Sequence, residues 1–352
     1  MSQRQQQMTG LFPEWYPQSA VLIAWPDQKT DFAASLDTIE TTYLEVVSAI
    51  TRHQALIIAV RDKQLKSHVT NLLAVHQINP EQVIYVEIPY DDIWVRDIAP
   101  IAVQHNQSTD LLCFQFNAWG NQYGCQNDAK FAERFIANQV FPALSINSSL
   151  TLEGGAFDSN GSDTVLTTAS CIYDQKRNRI EKYAIHEQLI KSLNTDRLIV
   201  LEHGQLIGDD TGGHIDTLAR FCSENSIAYT CCEDPNDAHY HPLKQIHTQL
   251  KQLTTAQNKP YQLIPLPLPS AIFNNQGHRL PANYANFLII NDAVLVPQYG
   301  DPQDATSINN LAQCFPDRAI ISIDCKSLIT QFGSLHCMAM NYPQTLKLSH
   351  IQ

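Results

Sequence analysis

Short uninterrupted apolar runs alternate along this chain with longer stretches in which apolar residues return every third or fourth position. Val21-Leu22-Ile23-Ala24-Trp25, stopped by Pro26, is of the first kind and predicts a buried strand. Ile39, Tyr43, Val46, Val47 and Ile50 are of the second kind and predict a helix over 36–53, with Ser35 as its cap. The same reading gives strand 55–60, helix 62–75 and strand 82–88, then strand 111–116 and helix 127–139. Strand 163–168, helix 179–193 and strand 197–201 follow, and after them strand 227–232, helix 242–253 and strand 261–268. Two apolar runs around Asn291-Asp292 predict a hairpin over 286–297, succeeded by helix 304–314 and strand 319–323. Strands alternating with helices place the chain in the α/β class.

Between these elements lie polar stretches that carry the chemistry. Gly208-Asp209-Asp210-Thr211-Gly212-Gly213-His214-Ile215-Asp216-Thr217 crowds three carboxylates and an imidazole into ten residues. If His214-Ile215-Asp216 opens a strand, the period of two puts His214 and Asp216 on one face, where both meet one ligand. A solvated acidic turn accounts for the same stretch equally well when it is taken alone. Upstream, Asp91, Asp92, Trp94, Arg96 and Asp97 precede another hydrophobic segment, and strand alternation would set Asp97 opposite Arg96. Glu153 stands before Gly154-Gly155, where the backbone can turn sharply and neighbours can approach closely. Asp97, Glu153, His214, Asn286 and Cys337 each occupy the same place in a weak internal repeat of loop, strand, helix and strand. The repeat length, on the order of sixty to seventy residues, is long for a solenoid and suits radial repetition around a shared axis.

Composition narrows the possibilities. An apolar content of 44% over 352 residues suffices for one large domain or two ordinary ones. With 35 acidic against 23 basic side chains the chain lacks the basic stripe of a nucleic-acid binder, and it suits a cationic small substrate. No stretch has the length and apolarity of a membrane span, and the polar, Gln-rich residues 1–10 do not resemble a secretory signal. Nine cysteines, an odd number without regular spacing, point to reduced thiols and a cytoplasmic location. Cys231-Cys232 with His239 and His241 lack a second pair at zinc spacing and read as structural or surface residues.

The blocks 91–97, 152–155, 208–216 and 286–301, with His336-Cys337, occur in an order that resembles the agmatine deiminase and bacterial peptidyl-arginine deiminase family of guanidino-group-modifying enzymes. That resemblance implies a single-domain, five-bladed α/β propeller with pseudo-fivefold symmetry over 11–345, between a flexible segment 1–10 and a tail 346–352. It implies Cys337 as the nucleophile, His214 as proton donor and then base, Glu153 as the partner that orients it, and Asp97 and Asp216 as the carboxylates for a guanidinium. Asp92, Asp210 and Trp94 are the expected contacts of the substrate tail, and Asn286 a further contributor. Neither metal nor cofactor is implied. The expected partner is a small cationic guanidino compound, with a homodimer left open, and no nucleic acid or membrane.

Gly212, Ala99 and the loop Gln331-Phe332-Gly333-Ser334 depart from the family pattern and concern the pocket beyond the guanidinium. The expected reaction is hydrolysis of agmatine, because the loop 117–128 offers no cation for the carboxylate of an arginine. An arginine or peptidyl-arginine deiminase is the alternative. A thiol protease is disfavoured by carboxylates beside its oxyanion. A ribosome-binding propeller is disfavoured by the acidic balance.

Overall fold

The apolar runs become the inner layers of a mixed α/β domain, seen in a computed structural model that describes residues 9–349. Ala20 to Ala24 are fully buried, as suits a strand covered on both faces, and Gln18–Ala24 runs parallel to the equally apolar Ala55–Val60. The helix Leu36–Thr51 joins them, turning Ile39, Tyr43, Val46, Val47 and Ile50 onto the sheet. Val83–Glu87 extends this sheet beyond Ala55–Val60, and Ala339–Pro343, from the far end of the chain, closes its other side antiparallel to Gln18–Ala24.

Four further small sheets repeat that arrangement of an antiparallel strand, a middle strand, a helix and an outer parallel strand. Ile101–His105, Ser108–Gln115 and Ser145–Thr151 form one, and Asp158–Ser159, Thr164–Thr168 and Arg197–Leu201 the next. Ala219–Ser223, Ser226–Cys231 and Gln262–Pro267 follow, then Leu288–Ile290, Ala293–Gln298 and Ala319–Asp324. The joining helices are Phe131–Ala137, Lys182–Leu193, Tyr240–Gln252 and Gln303–Cys314. Asp292, at φ +60°, makes the tight turn of the expected hairpin.

Several expectations change. Ser35 ends a 3-10 turn, Ala33–Ser35, and its side chain makes no cap. The helix expected at 127–139 shortens to Phe131–Ala137, because Asp91 and Asp128 bind each other's backbone N–H groups and hold the preceding segment as a turn. The next helix begins at Lys182 rather than 179. Most consequentially, neither His214-Ile215-Asp216 nor the stretch around Asp97 is a strand. Val95–Ile98 is one helical turn and Ile215–Thr217 is a 3-10 turn, so the reasoning from period two fails at both. Ser145–Thr151 is too polar to have stood out, and it pairs through its backbone beside an apolar neighbour.

Most of segments 1–10 and 346–352 lies outside the described residues or at their margin. Within them, Gly10–Leu11 pairs antiparallel with Ile101–His105, Leu346 is buried, and the Ser349 N–H donates to the Val140 carbonyl.

Candidate active site

Each antiparallel strand is entered from a short turn, and the five turns meet. Asp97 precedes Ile101–His105, Glu153 precedes Asp158–Ser159, His214 and Asp216 precede Ala219–Ser223, Asn286 precedes Leu288–Ile290, and Cys337 precedes Ala339–Pro343. Contacts then run from turn to turn. The Gly155 N–H donates to Asp97 Oδ1 at 3.0 Å, His214 Nε2 lies 3.2 Å from Glu153 Oε2, and His214 Nδ1 lies 3.6 Å from Asp97 Oδ1. Asn286 Nδ2 is 3.3 Å from Cys337 Sγ, which in turn is 3.8 Å from Asp216 Oδ2.

At the centre, only a glycine fits. A Cβ on Gly155 would stand 2.6 Å from His214 Nδ1, 2.9 Å from Asp97 Oδ1 and 3.1 Å from Asp216 Oδ2. The missing side chain leaves room there, and two buried atoms that face no hydrogen-bond partner, His214 Nδ1 and Asp216 Oδ1, belong to the same cluster. Buried polar atoms left without partners are costly, so the Asp216 oxygen suits a ligand N–H, while the protonated His214 Nδ1 has a hydrogen to give.

The charges are interlocked. Burial pushes the Cys337 thiol well above its usual range, and the charges of Asp216 and Asp97 add to this. Burial alone would strip the proton from His214, but Asp97, aided by Cys171 and Glu153, holds it well above the ordinary histidine range. Asp97 is raised to about 6 by burial; His214 opposes the rise, while Asp216 and Glu153 add to it. Burial also pushes Asp216 and Glu153 up, yet both end below their usual values, Asp216 through His336 and Glu153 through His214 and Arg177.

The profile of the Porphyromonas-type peptidyl-arginine deiminase family matches residues 10–343. The chain belongs to this family. A Vibrio parahaemolyticus protein provisionally named an agmatine deiminase is 31% identical to it, the match covering 94% of this chain and 96% of that one. A crystal structure provisionally named an arginine deiminase, from Porphyromonas gingivalis, is 39% identical with a TM-score of 0.88, covering 96% of this chain and 99% of that one. A variant of the C. jejuni agmatine deiminase with substrate bound is 31% identical with a TM-score of 0.89, covering 99% and 100%.

In this deiminase-family chain the tail residues expected from the sequence line one pocket of about 220 Å³. Its walls include Asp92, Asp210 and Trp94, joined by Asp31, Asp91, Asp128, Trp119, Tyr123 and Phe332, and none of the described lining residues is basic. Trp119 ties the pocket to the centre by donating its indole N–H to Asp97 Oδ2 at 2.9 Å. Trp94 donates to Asp92 Oδ2 at 3.0 Å, while Asp92 Oδ1 faces no partner, and Tyr123 donates to Asp210 Oδ2 at 2.8 Å. Burial raises Asp92 to about 8, with Asp31 adding its repulsion, and burial raises Asp210 to about 6 against the Tyr123 hydrogen bond.

Other acids near the signature blocks have structural duties. Asp209 holds the loop through the N–H groups of Thr211 and Gly213, and Asp91 holds Asn127 and Asp128. His239 accepts the Ile207 N–H and faces Asp237, which makes it structural as expected.

Four participants escaped the sequence reading. Arg177 grips Glu153 at 2.9 and 3.0 Å and donates to the Thr211 carbonyl. Trp119 adopts φ +53°, a left-handed conformation that no local pattern announces. His336 and Glu14 stand behind Asp216. Only His336 carried a signal, its place beside Cys337.

Proposed function

We propose that the chain is an agmatine deiminase, hydrolysing agmatine to N-carbamoylputrescine and ammonia. The observation that carries this reading is the cation-free, carboxylate-lined pocket joined through Trp119 to a buried Cys/His/Asp/Asp/Glu cluster. A guanidinium offers planar N–H groups to the carboxylates of Asp97 and Asp216, which border the space left by Gly155. Its positive charge offsets both carboxylates, which lowers the proton affinity of the Cys337 thiol as substrate enters. The thiol releases its proton to solvent, and the sulfur bonds to the central carbon as the C=N π electrons pass to nitrogen. His214, already carrying a proton, gives it to the departing ammonia and leaves an amidino-cysteine. The neutral imidazole next takes a proton from water, whose oxygen attacks the same carbon. Collapse of that adduct breaks the C–S bond and frees the ureido product.

Glu153, clamped by Arg177, orients His214, and Asn286 braces the sulfur. Asp92, with Asp210 nearby, receives the terminal ammonium, and Trp94 and Trp119 cover the alkyl chain. Five sheets of one topology, each sending its entry turn to a common point, support a pseudo-fivefold five-bladed α/β propeller. The relationship to the Porphyromonas gingivalis protein favours arginine as the second reading. An arginine carboxylate would enter a pocket of like charge without a paired cation, a strong penalty where solvent is excluded.

Purified protein offered agmatine, arginine and an arginyl peptide, with ammonia and ureido product measured, tests the reading. Agmatine is expected to give the highest kcat/KM. A preference for arginine or the peptide overturns the substrate while leaving the chemistry in place.

A further inference from the structure

The residues around Asp216 form two layers. On one side stands the candidate site. On the other, His336 Nδ1 lies 2.7 Å from Asp216 Oδ2, and His336 Nε2 lies 2.8 Å from Glu14 Oε2. Carboxylate oxygens accept and do not donate, so both ring nitrogens act as donors and the imidazole bridges two anions. All three side chains are almost completely withdrawn from solvent.

Glu14 is delivered by the segment that follows Gly10–Leu11, whose pairing with Ile101–His105 lays the chain across the back of the domain. There Glu14 Oε1 accepts the Ile289 N–H at 2.6 Å, and Oε2 also meets Arg220, itself bonded to Asp158. Glu14, Arg96, Asp158, His336 and Asn341 line a rear cavity of about 60 Å³, distinct from the acidic pocket. Oδ2 of Asp216 is engaged from this side, which leaves Oδ1 as the unpartnered atom.

We propose that Glu14 and His336 are positioning residues that hold Asp216 ionised and fix its carboxylate with Oδ2 at the edge of the space beside Gly155 and Cys337. The proposal rests on the reading of Asp216 as a guanidinium ligand. Burial works against the Asp216 charge, and His336 is the foremost group that overcomes it. His214 and Arg220 also favour that charge, while Asp97 opposes it and Cys337 Sγ lies 3.8 Å away. Glu14 is held far below the usual carboxylate range: burial pushes it up, and Arg220 and His336 more than reverse this. It therefore stays an anion and holds the His336 ring in place. Removing the His336 ring raises the proton affinity of Asp216, and a protonated Asp216 cannot pair with a guanidinium.

The test is the pH dependence of kcat/KM, whose acid limb reports ionisations of the free enzyme. His336→Asn removes the ring that faces Asp216. Because Asp97 at about 6 already sets the parent's acid limb, the expected change is a limb that steepens from one proton to two as Asp216 climbs toward Asp97, or moves upward once Asp216 passes it. Glu14→Gln preserves shape and is expected to change the limb the same way by less. In both, KM should rise more than kcat falls. A merely structural role would lower activity at every pH and leave the limb's position and slope unchanged. Should His336→Asn fail to fold, Glu14→Gln carries the test. An inactive Asp216→Asn beside an unchanged limb overturns this proposal alone, whereas near-parental turnover by Asp216→Asn overturns the ligand assignment and the proposal with it.

Discussion

The acids in front of the site and the acids behind it are the same residue types under opposite electrostatic regimes. Behind it, Glu14 and Asp216 share His336, while Glu14 and Asp158 share Arg220. In front, Asp92, Asp210 and Asp31 share a pocket with no basic side chain among its described walls, and Asp92 is raised to about 8. The rear layer arrives neutralised by its own cations and is built for permanence. The front layer lacks counterions among its described walls, an arrangement that suits a cationic visitor. Acidic residues counted along the sequence could not make this distinction, because it depends on which of them receive an arginine or histidine from a distant segment.

The largest effect is expected where the two layers touch. Asp97→Asn and Asp216→Asn should each cost about 3–5 kcal/mol of transition-state stabilisation, the usual consequence of leaving a buried charge unpaired. Steady-state kcat/KM on agmatine reads this directly, and a loss of only a few-fold at either position would remove that carboxylate from the guanidinium site.

Asp92→Asn should be milder for catalysis and opposite in sign for stability. Losing one partner of a buried ion pair lowers kcat/KM for agmatine by about 2 kcal/mol or more. Because Asp92 binds its proton more tightly folded than unfolded, the parent is stabilised by that proton at acid pH and loses the benefit as pH rises toward 8. The variant escapes the loss, so its melting temperature should exceed the parent's at pH 9, with the gap narrowing at pH 5 and closing only below about pH 4. Equal melting temperatures at both pH values would show that Asp92 feels no uncompensated burial.

The smallest effect should follow Trp119→Phe, which keeps a ring but deletes the N–H to Asp97. A hydrogen bond to a charged group is worth about 1.5–3 kcal/mol. Without it Asp97 rises further from about 6, so the loss in kcat/KM should be greater at pH 6 than at pH 8. A loss independent of pH would mean that the ring packs against substrate without tuning Asp97.

The middle strands and long helices were legible because one period dominates each of them, as in Ala55–Val60 and Leu36–Thr51. The spacing of Asp97, Glu153, His214, Asn286 and Cys337 likewise exposed the convergence of five segments. What failed was local geometry at the convergence itself. The turns holding Asp97 and Asp216 follow neither helical nor strand periodicity, because tertiary contacts such as the Arg96 N–H to the Cys337 carbonyl set their shape. Glu14 was invisible for a related reason: its partners lie more than two hundred residues downstream.

Ala339–Pro343 pairs with Gln18–Ala24, so one sheet takes its strands from opposite ends of the chain. At ribosomal rates of about 5–20 residues per second, the earlier strand waits on the order of 15–60 s for the later one. Throughout that interval Gln18–Ala24 presents an unpaired and strongly apolar edge, the kind of surface that templates aggregation. A growing chain of this protein therefore has a long window in which chaperones matter, and that window closes only when Cys337 and the strand beside it leave the ribosome together.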